Sequence, residues 1–142
     1  MDNKNRFWTD PDVGALVLRV TVGGLLFFHG WHKVQVGIAN QMQMLADNGI
    51  PGFFMYFMYI SEVLAPALIV LGVFTRISAL TIIVTMIVVL YVVPFPTMAL
   101  NEHGAWVIEL QLFYLAIPVA LFFTGPGRFR VWCSKSGNWL LD

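Results

Sequence analysis

Four long apolar stretches, separated by short polar or glycine- and proline-rich connections, dominate the sequence. Each has the roughly 17 to 25 residues that an α-helix needs to cross about 30 Å of hydrocarbon. The pattern predicts membrane-spanning helices at 13–29, 53–73, 77–95 and 105–124. The predicted fold class is therefore all-α, a polytopic membrane protein built as a four-transmembrane-helix bundle. We expect one domain over residues 1–142.

The connections fit this layout. The 72–76 connection is too short for anything but an antiparallel helical hairpin. The only long connection, 34–52, contains a segment at 38–48 that predicts a short interfacial helix ending at Asn48-Gly49. An unstructured outer loop is the equal alternative. Residues 125–142 follow the fourth helix as a tail.

Composition supports the membrane assignment. Hydrophobic residues make up 58% of the chain and charged residues 11%, with a mean hydropathy of +0.76. Soluble domains have about 25% charged residues. The formal net charge is zero, so no nucleic-acid surface is expected. The single cysteine, Cys133, excludes an intrachain disulfide and a CxxC redox pair.

The distribution of Lys and Arg predicts the orientation. Six of the eight lie near the two ends of the chain and in the 72–76 connection, whereas the first loop, after the predicted helix end at residue 29, holds only Lys33 and the third loop holds none. The positive-inside rule then places both termini and the tail in the cytoplasm. We expect the first apolar stretch to stay as a helix and not to be a cleaved signal peptide. It contains Arg19 and lacks a small-residue cleavage site.

Three of the apolar stretches contain an ionisable residue: Arg19, Glu62 and Glu109. Such a residue at membrane depth costs roughly 2.5 to 3.5 kcal/mol, so each needs a partner or a polar cavity. At 1.5 Å per residue, Arg19 lies roughly 10 Å inside the cytoplasmic end and Glu62 lies near the midplane. We expect Arg19 to pair with Glu62. The alternative is that Arg19 extends away from Glu62 toward the cytoplasm.

Glu109 defines a second layer in this prediction, because it lies roughly 8 Å below the outer end of its helix, level with His29. The charges have two interpretations. One is an ion pair that orients the bundle, and the other is the lining of a polar cavity for a small ligand or a proton.

One face of the first helix contains Arg19, Gly23, Leu26, Gly30 and Lys33. Its glycines allow a neighbouring helix to approach closely, although ordinary packing explains such a stripe equally well. The third apolar stretch has only a few hydroxyl side chains. We therefore expect the third helix to be the least functional.

Three histidines are expected at the outer side: His29, His32 and His103. Together with Glu102 or Glu109 they are weak candidates for binding zinc or iron, and His29 with His103 for binding a haem. Interfacial histidines that hydrogen-bond water and headgroups are the preferred interpretation. The sequence therefore predicts no metal site.

Several motifs in order along residues 13–130 resemble the DoxX family. They are Leu18-Arg19-Val20, His29-Gly30-Trp31-His32-Lys33, Glu62, Gly72-Val73-Phe74-Thr75-Arg76, Glu109 and Gly125-Pro126-Gly127-Arg128. The resemblance implies a small four-helix protein of the bacterial inner membrane. It further implies a link to thiosulfate:quinone oxidoreductase, to complexes handling oxidative or thiol stress, or to catechol or quinone resistance.

The resemblance leads to a first hypothesis, in which the chain is the membrane subunit of a quinone- or thiol-linked oxidoreductase system. A quinone is the candidate cofactor, held between the first, second and fourth helices. Arg19, His29 and Lys33 would bind it, and Glu62 and Glu109 would accept or relay a proton. The chain has no self-sufficient catalytic motif.

Two alternatives remain open. One is a non-enzymatic scaffold that recruits a partner protein. The other is a small-solute or proton carrier, which a four-helix chain without an internal repeat supports poorly. The expected partners are the lipid bilayer, an oxidoreductase subunit and a second copy in a homodimer, with no nucleic acid.

Overall fold

The computed structural model describes residues 10–92, 100, 102, 104–132 and 138–141. Within these residues the chain forms five helices and a final 3-10 turn at Trp139–Leu141, and Leu100 and Trp106 form one isolated β-bridge. The helices are α1 (Pro11–Val36), α2 (Ala39–Asp47), α3 (Gly52–Leu71), α4 (Thr75–Val92) and α5 (Glu109–Thr124). The all-α fold class is confirmed.

Three of the described helices are long and apolar enough to cross a membrane. They are α1, α3 and α4, with 26, 20 and 18 residues. Helix α5 is apolar but has only 16 residues. It begins at Glu109 and not at the predicted residue 105, because residues 104–108 form turns that start at Gly104 with a φ of +77°.

The first turn of α1 follows the expected capping pattern. The Asp12 amide donates a 3.0 Å hydrogen bond to Asp10 Oδ1, and Pro11 occupies a position where no N–H is needed. The helix continues to Val36, well past the predicted end at residue 29. Lys33 is therefore part of the last turn of α1 and not of a loop.

Helix α2 confirms the predicted short helix in the long connection. It ends at Asn48 and Gly49, where the glycine has a φ of +75°. Buried Leu45 packs with Met55, Met58 and Val92, so α2 covers one end of α3 and α4. We call this end of the bundle the loop end, and the opposite end, at Gly72 and Gly125, the tail end.

Helix α3 is irregular where it carries Glu62. It begins as a 3-10 turn at Gly52–Tyr56 and widens into a π-helical turn at Ile60–Leu64 before the regular segment Ala65–Leu71. Pro66 has no N–H to donate to the Glu62 carbonyl, its normal α-helical partner. This explains why the wide turn lies directly before Pro66, and such turns are frequent at functional sites.

The predicted glycine face of α1 packs against α3. Gly23 and Gly30 are buried, and a Cβ at Gly30 would lie 2.8 Å from Glu62 Cβ and nearer still to the Glu62 carbonyl oxygen. The helices can therefore approach this closely only because residue 30 lacks a side chain. The apolar core below this contact contains Val22, Leu26, Ala65, Ile69, Ala79, Ile82, Met86 and Leu121.

We expect Gly30→Ala to destabilise the protein by about 1 to 3 kcal/mol, because the backbones of α1 and α3 must move apart. The matched control is Gly24→Ala. No atom lies within 4 Å of a Cβ at Gly24, so Ala should stabilise the helix there by up to about 1 kcal/mol. Thermal unfolding in detergent measures both changes. Equal shifts of the same sign would contradict the close contact.

Most of the outward surface of the described helices is apolar. Phe28, Tyr91 and Phe123 are among its highly exposed side chains. A water-soluble monomer rarely exposes apolar patches of this extent. Together with the three long apolar helices, this surface identifies the chain as a multi-pass membrane protein.

Candidate functional site

Arg19 does not pair with Glu62, so this prediction was wrong. The guanidinium is buried, with 1% of the residue exposed, and it points toward the tail end. It donates four hydrogen bonds to backbone carbonyl oxygens: Nε to Ile69 at 2.8 Å, Nη1 to Pro126 at 2.7 Å and Phe129 at 2.6 Å, and Nη2 to Val70 at 2.7 Å. The alternative direction, toward the tail end, is the one observed.

These contacts give Arg19 a structural role at the end of α3. The last carbonyls of α3 have no partner within their own helix, and a cation at a helix C-terminus also interacts favourably with the helix dipole. Gly72 leaves room for the guanidinium, since a Cβ there would lie 2.6 Å from Nη2. Four of the five N–H groups of Arg19 are used. Arg19 therefore joins α1, α3 and the tail, and it is not among the residues that line the cavity described below.

Glu62 pairs with Lys33 instead. Lys33 Nζ lies 2.8 Å from both carboxylate oxygens and 3.3 Å from Met58 Sδ. The side chain of Glu62 is 2% exposed and that of Lys33 is 17% exposed. Although Oε2 lies at ion-pair distance, it accepts no hydrogen bond from the described residues. The pair thus retains one buried acceptor.

A cavity of about 480 Å³ lies beside this pair at the loop end. Its size is typical of sites for small organic ligands. Eleven of its fifteen lining residues are apolar; the full set is Lys33, Gln41, Met44, Leu45, Ile50, Phe54, Met55, Phe57, Met58, Glu62, Val84, Thr85, Val88, Val89 and Val92. The cavity therefore lies between α1, α2, α3 and α4. The predicted site, between the first, second and fourth apolar helices, differs from this cavity in one helix, because α5 contributes none of these residues.

Two further polar side chains face the cavity, and sequence reasoning missed both as site residues. Thr85 donates its hydroxyl to the Thr81 carbonyl at 3.0 Å, so it presents only lone pairs. The Gln41 amide makes no hydrogen bond to any described residue. The feature of the sequence that could have indicated Gln41 is its position in the amphipathic α2. The Thr85 hydroxyl, four residues from Thr81, resembled an ordinary helix contact.

The remaining predicted site residues, Glu109 and His29, do not line the cavity. Glu109 is exposed in the first turn of α5, where the helix dipole favours its charge, and it borders a separate shallow depression of about 520 Å³. His29 is exposed on α1, and no hydrogen bond or ion pair between described residues joins it to Glu109. The predicted outer layer is therefore not formed as an interacting pair.

The metal candidates are only partly described. His32 is exposed on α1, and His103 lies outside the described residues. Among the residues that the structure describes, no group of three or more His, Cys, Asp or Glu side chains is placed to hold a metal ion.

The cavity combines an apolar wall with an ammonium donor and a carboxylate acceptor in contact. Such a site suits a largely apolar molecule that has a carbonyl or hydroxyl oxygen. Lys33 can donate to that oxygen, and Glu62 can take up or deliver a proton within hydrogen-bond reach of it. Gln41 can hold a second polar group of the same molecule.

Comparison with known proteins agrees with the motifs of the sequence. The DoxX family matches residues 14–94, which contain the Lys33–Glu62 pair and nearly all of α1 to α4. The putative oxidoreductase CatD of Bacillus subtilis is 35% identical over 132 residues, which cover 89% of this chain and 94% of that protein. No solved structure matches significantly. The chain belongs to the DoxX family of membrane proteins.

Proposed function

We propose that this protein is the membrane subunit of a quinone-linked oxidoreductase system and that it binds a quinone in the cavity beside Lys33 and Glu62. The observation that supports this most is one charged pair in the wall of a largely apolar cavity of about 480 Å³. The relative whose name describes a putative oxidoreductase gives additional support. A thiol-linked reaction finds less support, because the chain has a single cysteine.

The residues of the cavity have separate roles in this proposal. Reduction of a quinone takes up two electrons and two protons, and a partner oxidoreductase subunit supplies the electrons. Lys33 donates a hydrogen bond to one quinone oxygen and stabilises the negative charge that develops there. Glu62 relays one proton to that oxygen, and water supplies the proton that the second oxygen takes up. Gln41 holds the second oxygen, while Met side chains pack on the ring.

The proposed topology has four membrane crossings and one domain over residues 1–142, in the bacterial inner membrane. Arg76, Arg128 and Arg130 lie at the tail end. The positive-inside rule then assigns the tail end to the cytoplasm. The cavity lies in the outer half of the bilayer, with α2 at the outer surface. α5 would cross with only 16 residues, which local thinning of the bilayer tolerates at modest cost.

Purification in native lipids, followed by organic extraction, tests the proposal. We expect quinone to co-purify with the parent protein. Gln41→Leu should lower its occupancy about three- to tenfold, which corresponds to the loss of one hydrogen bond. Gln43→Leu is the matched control, because Gln43 is exposed on the same helix and bonds Asp47 at 2.8 Å.

Absence of quinone from the lipid-preserved protein, or equal occupancy in the two glutamine variants and the parent, would contradict the proposal. A scaffold role would gain support if deletion of 41–49 abolished the recovery of a partner protein while the charged pair could be replaced without effect.

A further inference from the structure

The cavity has one wall that is also lipid-facing surface. Phe54 and Phe57 on α3 and Val84 and Val88 on α4 line the cavity, and each is between 37% and 53% exposed. We call these four residues the portal. All four are apolar and lie on the two helices that form this wall. Along the portal the cavity is bordered by side chains that contact the hydrocarbon of the bilayer.

On the side of the cavity that faces water, α2 packs over α3. Leu45 of α2 and Met55 of α3 are buried against each other at this end. Asn48 Nδ2 also donates to the Val92 carbonyl at 3.4 Å and so ties the end of α2 to α4. The opposite face of α2 exposes polar residues such as Gln43 and Asp47. α2 therefore separates the cavity from the aqueous phase.

We propose that the ligand enters from the bilayer between α3 and α4, and that it is a membrane-dissolved molecule with a polar ring and a long apolar tail. The ring lies against Lys33 and Glu62, and the tail leaves through the portal into the lipid. This inference rests on the proposed function and narrows its substrate class. Quinones without a tail, which dissolve in water, lack the part that the portal contacts.

Binding of two probes to the full chain in lipid nanodiscs tests the inference. The probes are decylubiquinone and the same benzoquinone head without its decyl tail. Native mass spectrometry at matched concentrations within the lipid measures the occupancy of each. Val84→Trp fills the portal from α4, and Val88→Trp does so one turn later. Val20→Trp is the matched control, because Val20 is 50% exposed on α1 and Val84 is 48% exposed.

We expect decylubiquinone to bind the parent protein and the Val20→Trp variant alike. Val84→Trp and Val88→Trp should each weaken its binding about tenfold, the order expected when a close apolar fit is disturbed. Binding of the tailless head should be weaker in the parent protein and unchanged in all three variants.

Two results would overturn the inference. Equal binding of decylubiquinone to the parent and both portal variants would show that the tail does not use the portal, while the proposed function would remain. If Val20→Trp weakened decylubiquinone binding as much as the portal variants do, the effect would not be specific to the portal, and the inference would fail in the same way. If neither probe binds the parent protein, the proposed function fails, and the inference fails with it.

Discussion

Lys33→Met should lower the free energy of unfolding by about 3 to 5 kcal/mol, because it leaves a buried carboxylate without its counter-ion. Glu62 is 2% exposed and accepts its hydrogen bond from Lys33. Denaturant or thermal unfolding in detergent measures the loss. His32→Met is the matched control on the same turn of α1. His32 is exposed, so its replacement should change stability by less than about 0.5 kcal/mol.

The double variant Lys33→Met/Glu62→Leu distinguishes the interaction energy between the two side chains from the effect of each side chain alone. Well-packed apolar replacements of a buried pair are often neutral or stabilising by about 1 to 4 kcal/mol. We therefore expect the double variant to recover most or all of the stability that Lys33→Met loses. A double variant as unstable as the sum of the two single variants would show that the two side chains do not interact.

Arg19→Met should destabilise the protein by about 3 kcal/mol or more, because the carbonyl groups of Val70, Pro126 and Phe129 lose their donor at about 1 to 3 kcal/mol each. The Ile69 carbonyl keeps the Gly72 amide as a donor. Arg19→Lys should recover little, since an ammonium group cannot span carbonyls from α3 and from the tail at the same time. Arg128→Met is the control. Arg128 pairs with Asp10 but is 55% exposed, and such exposed pairs contribute about 0 to 1 kcal/mol.

The contacts of Arg19 also predict which part of the protein unfolds first in the Arg19 variants. The contacts of the tail with the bundle include those of Arg19 and the Val131 amide, which donates to the Leu71 carbonyl at 3.0 Å. Trypsin should therefore cleave after Arg128 or Arg130 faster in Arg19→Met than in the parent. Quinone binding by the folded fraction should be unchanged. Slow cleavage together with lost binding would instead assign Arg19 to the ligand site.

Much of the helical layout follows from local sequence. The Asp10-Pro11-Asp12 cap, the short helix before Asn48-Gly49 and the glycine face of α1 were each predicted from residues close in sequence. The structure confirms all three. They were predictable because capping, helix termination and small-residue packing depend on few positions.

The partners of the charged residues were not predictable in the same way. Arg19 bonds carbonyls that are 107 and 110 residues away, and any residue type supplies a carbonyl, so no side-chain pattern indicates it. Lys33 was assigned to a loop because polar residues follow His29, yet α1 continues beyond them. The ion pair with Glu62 stabilises that extension, and this is a tertiary effect.

The residues of the cavity wall could not be predicted from the sequence for another reason. The apolar residues of α4 lie on all sides of the helix, because in a membrane both the lipid-facing and the core-facing positions are largely hydrophobic. Val84 and Val88 therefore look the same in the sequence as valines that face only lipid. The contact between Glu62 and Lys33 could not be predicted either. It depends on how the wide turn before Pro66 packs against Gly30.

Binding of decylubiquinone to the Lys33→Met/Glu62→Leu double variant distinguishes a ligand site from a purely structural ion pair. We predict a variant that is folded and as stable as the parent, with quinone binding weakened about tenfold or more, since it loses the charge-assisted hydrogen bond that Lys33 donates to the quinone oxygen. A stable double variant that binds decylubiquinone as tightly as the parent would contradict the assignment of Lys33 and Glu62 to a quinone site.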